Sequence, residues 1–221
     1  MSQRPLIALV ATGGTIAGAA ASATDTTGYT AGSLTAADLL DAVPQLGTVA
    51  ELRAEQLFNL DSKDMGPTHW LALTRRVQAL LDDPAIDGVV ITHGTDTLEE
   101  TAFFLHLALH GDKPVVLTAA MRPATALSAD GPMNLWEAVG VAASTEFRGP
   151  GVLIAFAGEV FSAEDFAKGH TVRPAAFAAR HAGPLGLASP PQRLRAPARS
   201  AAALLPRGAL DSLDTLPWVE V

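Results

Sequence analysis

Cysteine is absent from all 221 residues. That excludes disulfides, a thiolate nucleophile and a cysteine-ligated zinc, and leaves the compartment open. Aromatic side chains are few, with a single tyrosine, Tyr29. Positive charge is scarce as well: 15 Lys and Arg stand against 23 Asp and Glu, for a formal net charge of -8. The basic residues are scattered and form no run of the kind that tracks phosphates, so neither nucleic acid nor a membrane surface is an expected partner. No apolar run approaches the roughly 20 residues of a membrane span, and residues 1–10 show no secretory leader with a cleavage site. The cytoplasm is therefore the expected compartment. The six histidines lack metal-ligand spacing, and His106 and His110 read as flanking one helix face.

What remains is the composition of an ordinary globular protein, 48% hydrophobic and 17% charged. At roughly 150 residues per domain the length suggests one domain, or one domain and a piece. Residues 6–11 form a short apolar run stopped by Gly13-Gly14, the pattern of a buried parallel strand. Residues 18–32 are rich in Gly, Ala, Ser and Thr and read as a mobile loop carrying Tyr29. Further strands are expected at 52–60, 88–92, 114–118 and 152–156. Helices are expected at 35–40, 67–81, 97–109 and 132–143, with Pro67 in a first turn and Glu99 and Glu100 where the helix dipole favours acids. Strands alternating with helices predict an α/β fold with a mainly parallel, flavodoxin-like doubly wound sheet and helices on both faces.

Residues 1–190 make up this expected domain. A Pro-, Ala- and Arg-rich linker is expected at 191–213, and 214–221 reads as the first strand of a second, truncated α/β domain.

In such sheets ligands bind beyond the carboxyl ends of the strands, and the polar motifs fall there. Thr12-Gly13-Gly14-Thr15 closes the first strand, Asp61-Ser62 the second and His93-Gly94-Thr95-Asp96-Thr97 the third. Glycines at a strand end let a substrate approach the backbone and leave N–H groups free for a developing oxyanion. Thr15 adds a hydroxyl that needs a partner to become a nucleophile. A Gly-rich phosphate-binding turn is the competing reading of this motif, against which the spacing speaks: neither G-x-G-x-x-G nor a P-loop is present. Asp96 has two readings, a cap of the following helix or a carboxylate in a cleft. Lys168 is a solvated charge unless partly buried.

Taken together, these motifs resemble the bacterial type II L-asparaginases of the asparaginase/glutaminase family. The match runs through Thr12-Gly13-Gly14-Thr15-Ile16-Ala17-Gly18, Tyr29, Asp61-Ser62-Lys63-Asp64-Met65 and Thr92-His93-Gly94-Thr95-Asp96-Thr97. It continues in Ala120-Met121-Arg122-Pro123, Ser128-Ala129-Asp130-Gly131-Pro132, Lys168 and Gly183-Pro184-Leu185-Gly186, nearly the whole chain. The resemblance implies an amidohydrolase that converts L-asparagine to L-aspartate and ammonia without cofactor or metal, with L-glutamine as a side substrate. It implies that Thr15 attacks the carboxamide, that Tyr29 closes over it, and that an acyl-threonine is then hydrolysed. Thr95, Lys168 and Asp96 match a second hydroxyl–lysine–carboxylate group. Ser62 and Asp96 match residues gripping the α-carboxylate and α-ammonium, the backbone of Ala120 lies near the leaving amide, and Gly14 and Gly94 border the substrate.

Two departures from the family pattern stand out. Lys63 replaces a Gln or Glu beside the substrate ammonium, which a cation repels unless it points away or pairs with an acid such as Asp64. The family's second domain, which completes a neighbour's site in a homotetramer and supplies a carboxylate to the tyrosine, has no counterpart in these residues. Two other readings follow: a domain that binds amino acids weakly without turnover, and a nucleotide-binding α/β module using Gly13-Gly14.

Overall fold

The computed structural model describes residues 4–197 and 205–216. Its elements, in chain order, begin with β1 (Leu6–Gly13), β2 (Ala19–Ala20), β3 (Tyr29–Thr30), α1 (Ala36–Asp41), α2 (Leu46–Val49) and β4 (Glu51–Leu60). α3 (Pro67–Asp82), β5 (Gly88–Thr92), α4 (Leu98–Ala108), β6 (Val115–Thr118) and α5 (Gly131–Ala143) follow. The described part continues with β7 (Val152–Phe156), β8 (Glu159–Ser162), β9 (Ala167–Lys168), β10 (Phe177–Ala178), β11 (Gly186–Ala188) and β12 (Pro191–Arg193).

Five parallel strands lie in the order β4-β1-β5-β6-β7, the flavodoxin-like arrangement. β1 and β5 are central and buried along their length, which is why their sequences run apolar without alternation. Successive residues still face opposite sides of the sheet. Ala8 and Val10 join Leu73, Val77 and Leu80 of α3 and Leu98, Ala102 and Leu105 of α4 in one core. Ile7 and Leu9 join Leu39, Leu46 and, from α5, Leu135 and Val139 in the other. Each fully buried Leu, Ile or Val contributes about 1.5–3 kcal/mol relative to exposure, so the two layers hold the sheet in place. β4 is the edge strand, and its exposed Glu51 and Arg53 suit an edge that must not pair further.

Beyond β7 the sheet turns antiparallel through β8, β11 and β12, strands that the periodicity of the sequence does not announce. The tight turn Ala157-Gly158 makes the reversal, with φ 51 and φ 87 at the two positions; positive φ at both central residues is the geometry of a two-residue hairpin. Residues 191–193, read as linker, instead pair with β11, so the sheet runs on past residue 190. Residues 205–211 lie on α3 and α4: Arg75 donates to the carbonyls of Leu210 (2.8 Å) and Asp211 (3.1 Å), and Arg207 pairs with Asp82 at 2.6 Å. The strand expected at 214–221 lies, from residue 217 onward, outside the described residues. Among the described residues no helix is long and apolar enough to cross a membrane.

Candidate active site

The sheet's topological switch point falls between β1 and β5, because the chain leaves β1 for β4 on one side and returns to β5 on the other. Ligands in such sheets bind at this crevice. The segments that follow β1 and β5 carry Thr15 and Thr95, one on each side of the switch.

Close backbone packing brings the segments together. Gly13 and Gly14 hold φ 101 and φ 78, and a Cβ on Gly14 would stand 2.4 Å from the backbone of Gly94. A Cβ on Gly94 would in turn stand 2.4 Å from Oγ of Ser62. Glycine is required at both positions, and the ends of β1, β4 and β5 stack backbone on backbone. This also corrects one expectation: the N–H of Gly14 donates to the carbonyl of Leu60 at 2.8 Å, so it is not free to receive an oxyanion.

On this platform Thr15 occupies a short 3-10 turn, Thr15–Ala17, and is 6% exposed. Its Oγ1 lies 2.6 Å from the hydroxyl of Tyr29. The segment read as a mobile loop forms a small hairpin, β2 with β3, in which Ala20 pairs with Tyr29. The ammonium of Lys168 donates to Thr95 Oγ1 at 2.9 Å and to Asp96 Oδ1 at 2.7 Å. The lysine side chain is 20% exposed, the partial burial that the sequence reading required. Asp96 does not cap α4: the cap position is Thr97, without a side-chain cap bond, while the Asp96 carboxylate turns to Lys168.

Thr15, Tyr29, Thr95, Asp96 and Lys168 line one cleft of about 370 Å³, joined by Arg122. A larger hollow of about 560 Å³ lies at the amino ends of the strands, by Leu6, Glu51 and Asp87; it gathers no hydroxyl–lysine or hydroxyl–tyrosine pair, so chemistry rather than size selects the smaller one. The other expected residues lie beneath or beside this cleft. Ser62 is buried, accepts the N–H of Asp96 at 3.1 Å through Oγ, and receives the Thr97 hydroxyl on its carbonyl at 2.8 Å. Ala120 is fully buried. Lys63 is exposed, and its ammonium pairs with Asp61 at 2.5 Å and Asp64 at 3.6 Å.

Several supporting residues were given no role of their own by the sequence. Asp130 accepts the N–H groups of Met121 and Arg122, each at 2.9 Å, and Asn134 donates to the carbonyl of Ala119 at 2.9 Å. Together they fix the loop after β6, a task that the matched Ser128-Ala129-Asp130-Gly131-Pro132 run did not announce. His93 is fully buried, with its Nδ1 2.8 Å from the Gly94 carbonyl and its Nε2 3.1 Å from the Thr101 hydroxyl, to which Trp70 donates at 2.9 Å. Burial pushes the His93 imidazole down to about 4, so near neutral pH it is an uncharged strut holding the Gly94 carbonyl. Among the described residues no group of three or more His, Asp or Glu is placed to hold a metal ion.

The chain is similar to known proteins. The chain is 47% identical over 171 residues to a glutaminase-asparaginase of Acinetobacter glutaminasificans, covering 77% of this chain and 52% of that protein. It is 46% identical over 182 residues to L-asparaginase 2 of Escherichia coli, covering 82% and 51%. The crystal structure of a probable cytoplasmic L-asparaginase from Campylobacter jejuni superposes with a TM-score of 0.81 at 46% identity, covering 84% of this chain and 56% of the other. The chain thus spans about half the length of the curated relatives it matches. A model of the family described as Asparaginase, N-terminal matches residues 6–197, a span that holds the threonine turns, the tyrosine hairpin and the lysine, and on that match the chain belongs to the asparaginase family as its N-terminal domain.

Proposed function

We propose that this chain carries the reacting groups of an amidohydrolase that converts L-asparagine to L-aspartate and ammonia, with L-glutamine as a slower substrate. The observation that carries the reading is two hydroxyls on one cleft, each with its own polar partner: Thr15 with Tyr29 and Thr95 with Lys168. Thr15 Oγ1 attacks the side-chain carboxamide carbon, and its proton passes by way of the Tyr29 oxygen toward the leaving nitrogen. The C–N bond breaks, ammonia departs, and the acyl group stays on Thr15 as an ester. Water then cleaves the ester, returning the proton to Thr15 and releasing aspartate. Lys168 places a positive charge beside Thr95 and Asp96, so that the Thr95 hydroxyl, accepting from the ammonium, turns its own hydrogen toward the cleft. That hydrogen orients the reacting water or amide, and charge near the developing oxyanion is the larger part of such catalysis.

Ammonia release from asparagine tests the reading. Thr15→Ala is expected to abolish it, by a factor of about 10⁴ or more, as removal of a nucleophile does. Full activity in that variant would overturn the assignment. Mass spectrometry after acid quench is expected to find the acyl adduct on the peptide holding Thr15. In the proposal the native protein is a cytoplasmic homotetramer, checked by light scattering and by fractionation of the native cells.

A second reading is amino-acid binding without turnover. Saturable aspartate binding with no ammonia released by this chain would support it.

A further inference from the structure

Lys168 is carried by β9, a strand of two residues that pairs with β10 and stands apart from the eight-stranded sheet. Much of what holds this hairpin binds it to itself. The N–H of Gly169 donates to the Ala176 carbonyl at 2.8 Å, and Phe166 stacks on Phe177 at 4.4 Å. Phe156 and Phe161 tie the aromatic cluster to β7 and β8, one side of the site. On the other side, where Thr95 and Asp96 lie, the Glu99 carboxylate accepts the backbone N–H of Lys168.

Residues 95–99 therefore grip the lysine at both ends, Thr95 and Asp96 at the ammonium and Glu99 at the backbone. A lysine stem is long and flexible, so the ammonium is placed only if its root is placed. The same stretch anchors the turn at Ser62 through the N–H of Asp96 and the hydroxyl of Thr97. We propose that Glu99 is a positioning residue for Lys168, setting the lysine backbone so that its ammonium meets Thr95 and Asp96 together. This rests on the function proposed for Thr95 and Lys168. The plain alternative is an acid favoured by the helix dipole in the first turn of α4, with no bearing on the site.

The test compares the unmodified chain with Glu99→Ala and Glu99→Gln. The chain has three lysines, Lys63, Lys113 and Lys168, so a ¹³Cε-lysine label gives few signals, and Lys168→Arg assigns the one of interest. Glu99→Ala is expected to move the Lys168 signal toward that of an exposed lysine. It is also expected to lower kcat for ammonia release about 10- to 100-fold while KM changes by less than about threefold. Glu99→Gln keeps an acceptor of the same reach without the charge, and is expected to restore both. If Glu99→Ala does not fold, Glu99→Asp, one methylene shorter, is expected to shift the Lys168 signal part of the way. An unmoved Lys168 signal in Glu99→Ala or Glu99→Asp, or a Glu99→Gln variant as impaired as Glu99→Ala, overturns the proposal. Absence of ammonia release by the unmodified chain counts against the proposed function alone, because the lysine signal still decides the role of Glu99.

Discussion

Lys63 follows the buried Ser62 directly, and in one dimension a cation there threatens any substrate ammonium. In three dimensions that ammonium is already engaged: its hydrogen bond with Asp61 is the largest influence holding its pKa above the ordinary lysine value. A neutralised, solvent-exposed cation acts weakly at a distance. Lys63→Gln is therefore expected to tighten aspartate binding by no more than about fivefold, measured by titration calorimetry; a larger gain would restore the repulsion. Gly94 presents the opposite case, a residue without a side chain whose replacement does harm. A methyl group there would stand 2.4 Å from Ser62 Oγ and 2.6 Å from its Cβ. Gly94→Ala is expected to cost about 1–3 kcal/mol of stability in urea unfolding, the usual result of forcing atoms into a filled site. Thr15, Thr95 and Asp96 were legible as candidates, since each lies in a motif at a strand end, whereas Lys168 stood out only through the family resemblance. The choice between cap and ion pair for Asp96 was not legible, because Lys168 lies 72 residues away.

At the scale of elements, the hairpin carrying Tyr29 departs most from its local composition. Small polar residues favour a loop, yet the N–H of Ala124 donates to Gly18, that of Ala20 to the Thr125 hydroxyl, and that of Leu127 to Ala23. These partners lie about a hundred residues further along the chain, and no local pattern announces them. Within the hairpin the Tyr29 ring rests over Gly18, where a Cβ would stand 2.8 Å from ring carbon Cδ2 and 3.0 Å from the Thr15 carbonyl. The Gly18 backbone is otherwise ordinary, with φ -85 and ψ 147, so alanine meets no strain in its own φ and ψ, and the Thr15 carbonyl need yield only by a few tenths of an ångström. Gly18→Ala is expected to leave the melting temperature within a few degrees while lowering kcat about 10- to 100-fold, through displacement of the tyrosine hydroxyl from Thr15. Equal loss of fold and activity would count against that explanation. Helices α3, α4 and α5 were readable to within a residue or two, because apolar spacing and a proline or acid in the first turn mark them directly.

For the molecule as a whole, two buried titratable groups shape the pH dependence of folding with opposite signs. His93 is depressed by burial from 6.5 to about 4, so its contribution is fully present above pH 6.5 and is lost as pH falls toward 4. The loss reaches at most roughly 3–4 kcal/mol, from about 1.4 kcal/mol per pKa unit. Glu137 on α5 is buried and accepts the N–H of Gly158 at the β7–β8 turn; desolvation raises its carboxyl. Stability from that group is present below its unfolded value and is lost as pH rises through the folded one. Glu137→Gln is accordingly expected to raise the melting temperature at pH 7 and to leave it unchanged at pH 4, while His93→Gln flattens the acid limb. Melting curves at intervals from pH 4 to 7 check both signs.

The sequence by itself determined the α/β class, the five parallel strands and the position of polar motifs at their carboxyl ends, because burial of both sheet faces and helix periodicity are written in consecutive residues. The tertiary structure alone decided the antiparallel extension, the closure of the tyrosine hairpin and the partners of Asp96 and Lys168. Those outcomes rest on hydrogen bonds and ion pairs whose direction depends on how the strand ends are brought together, and a local pattern holds no record of that.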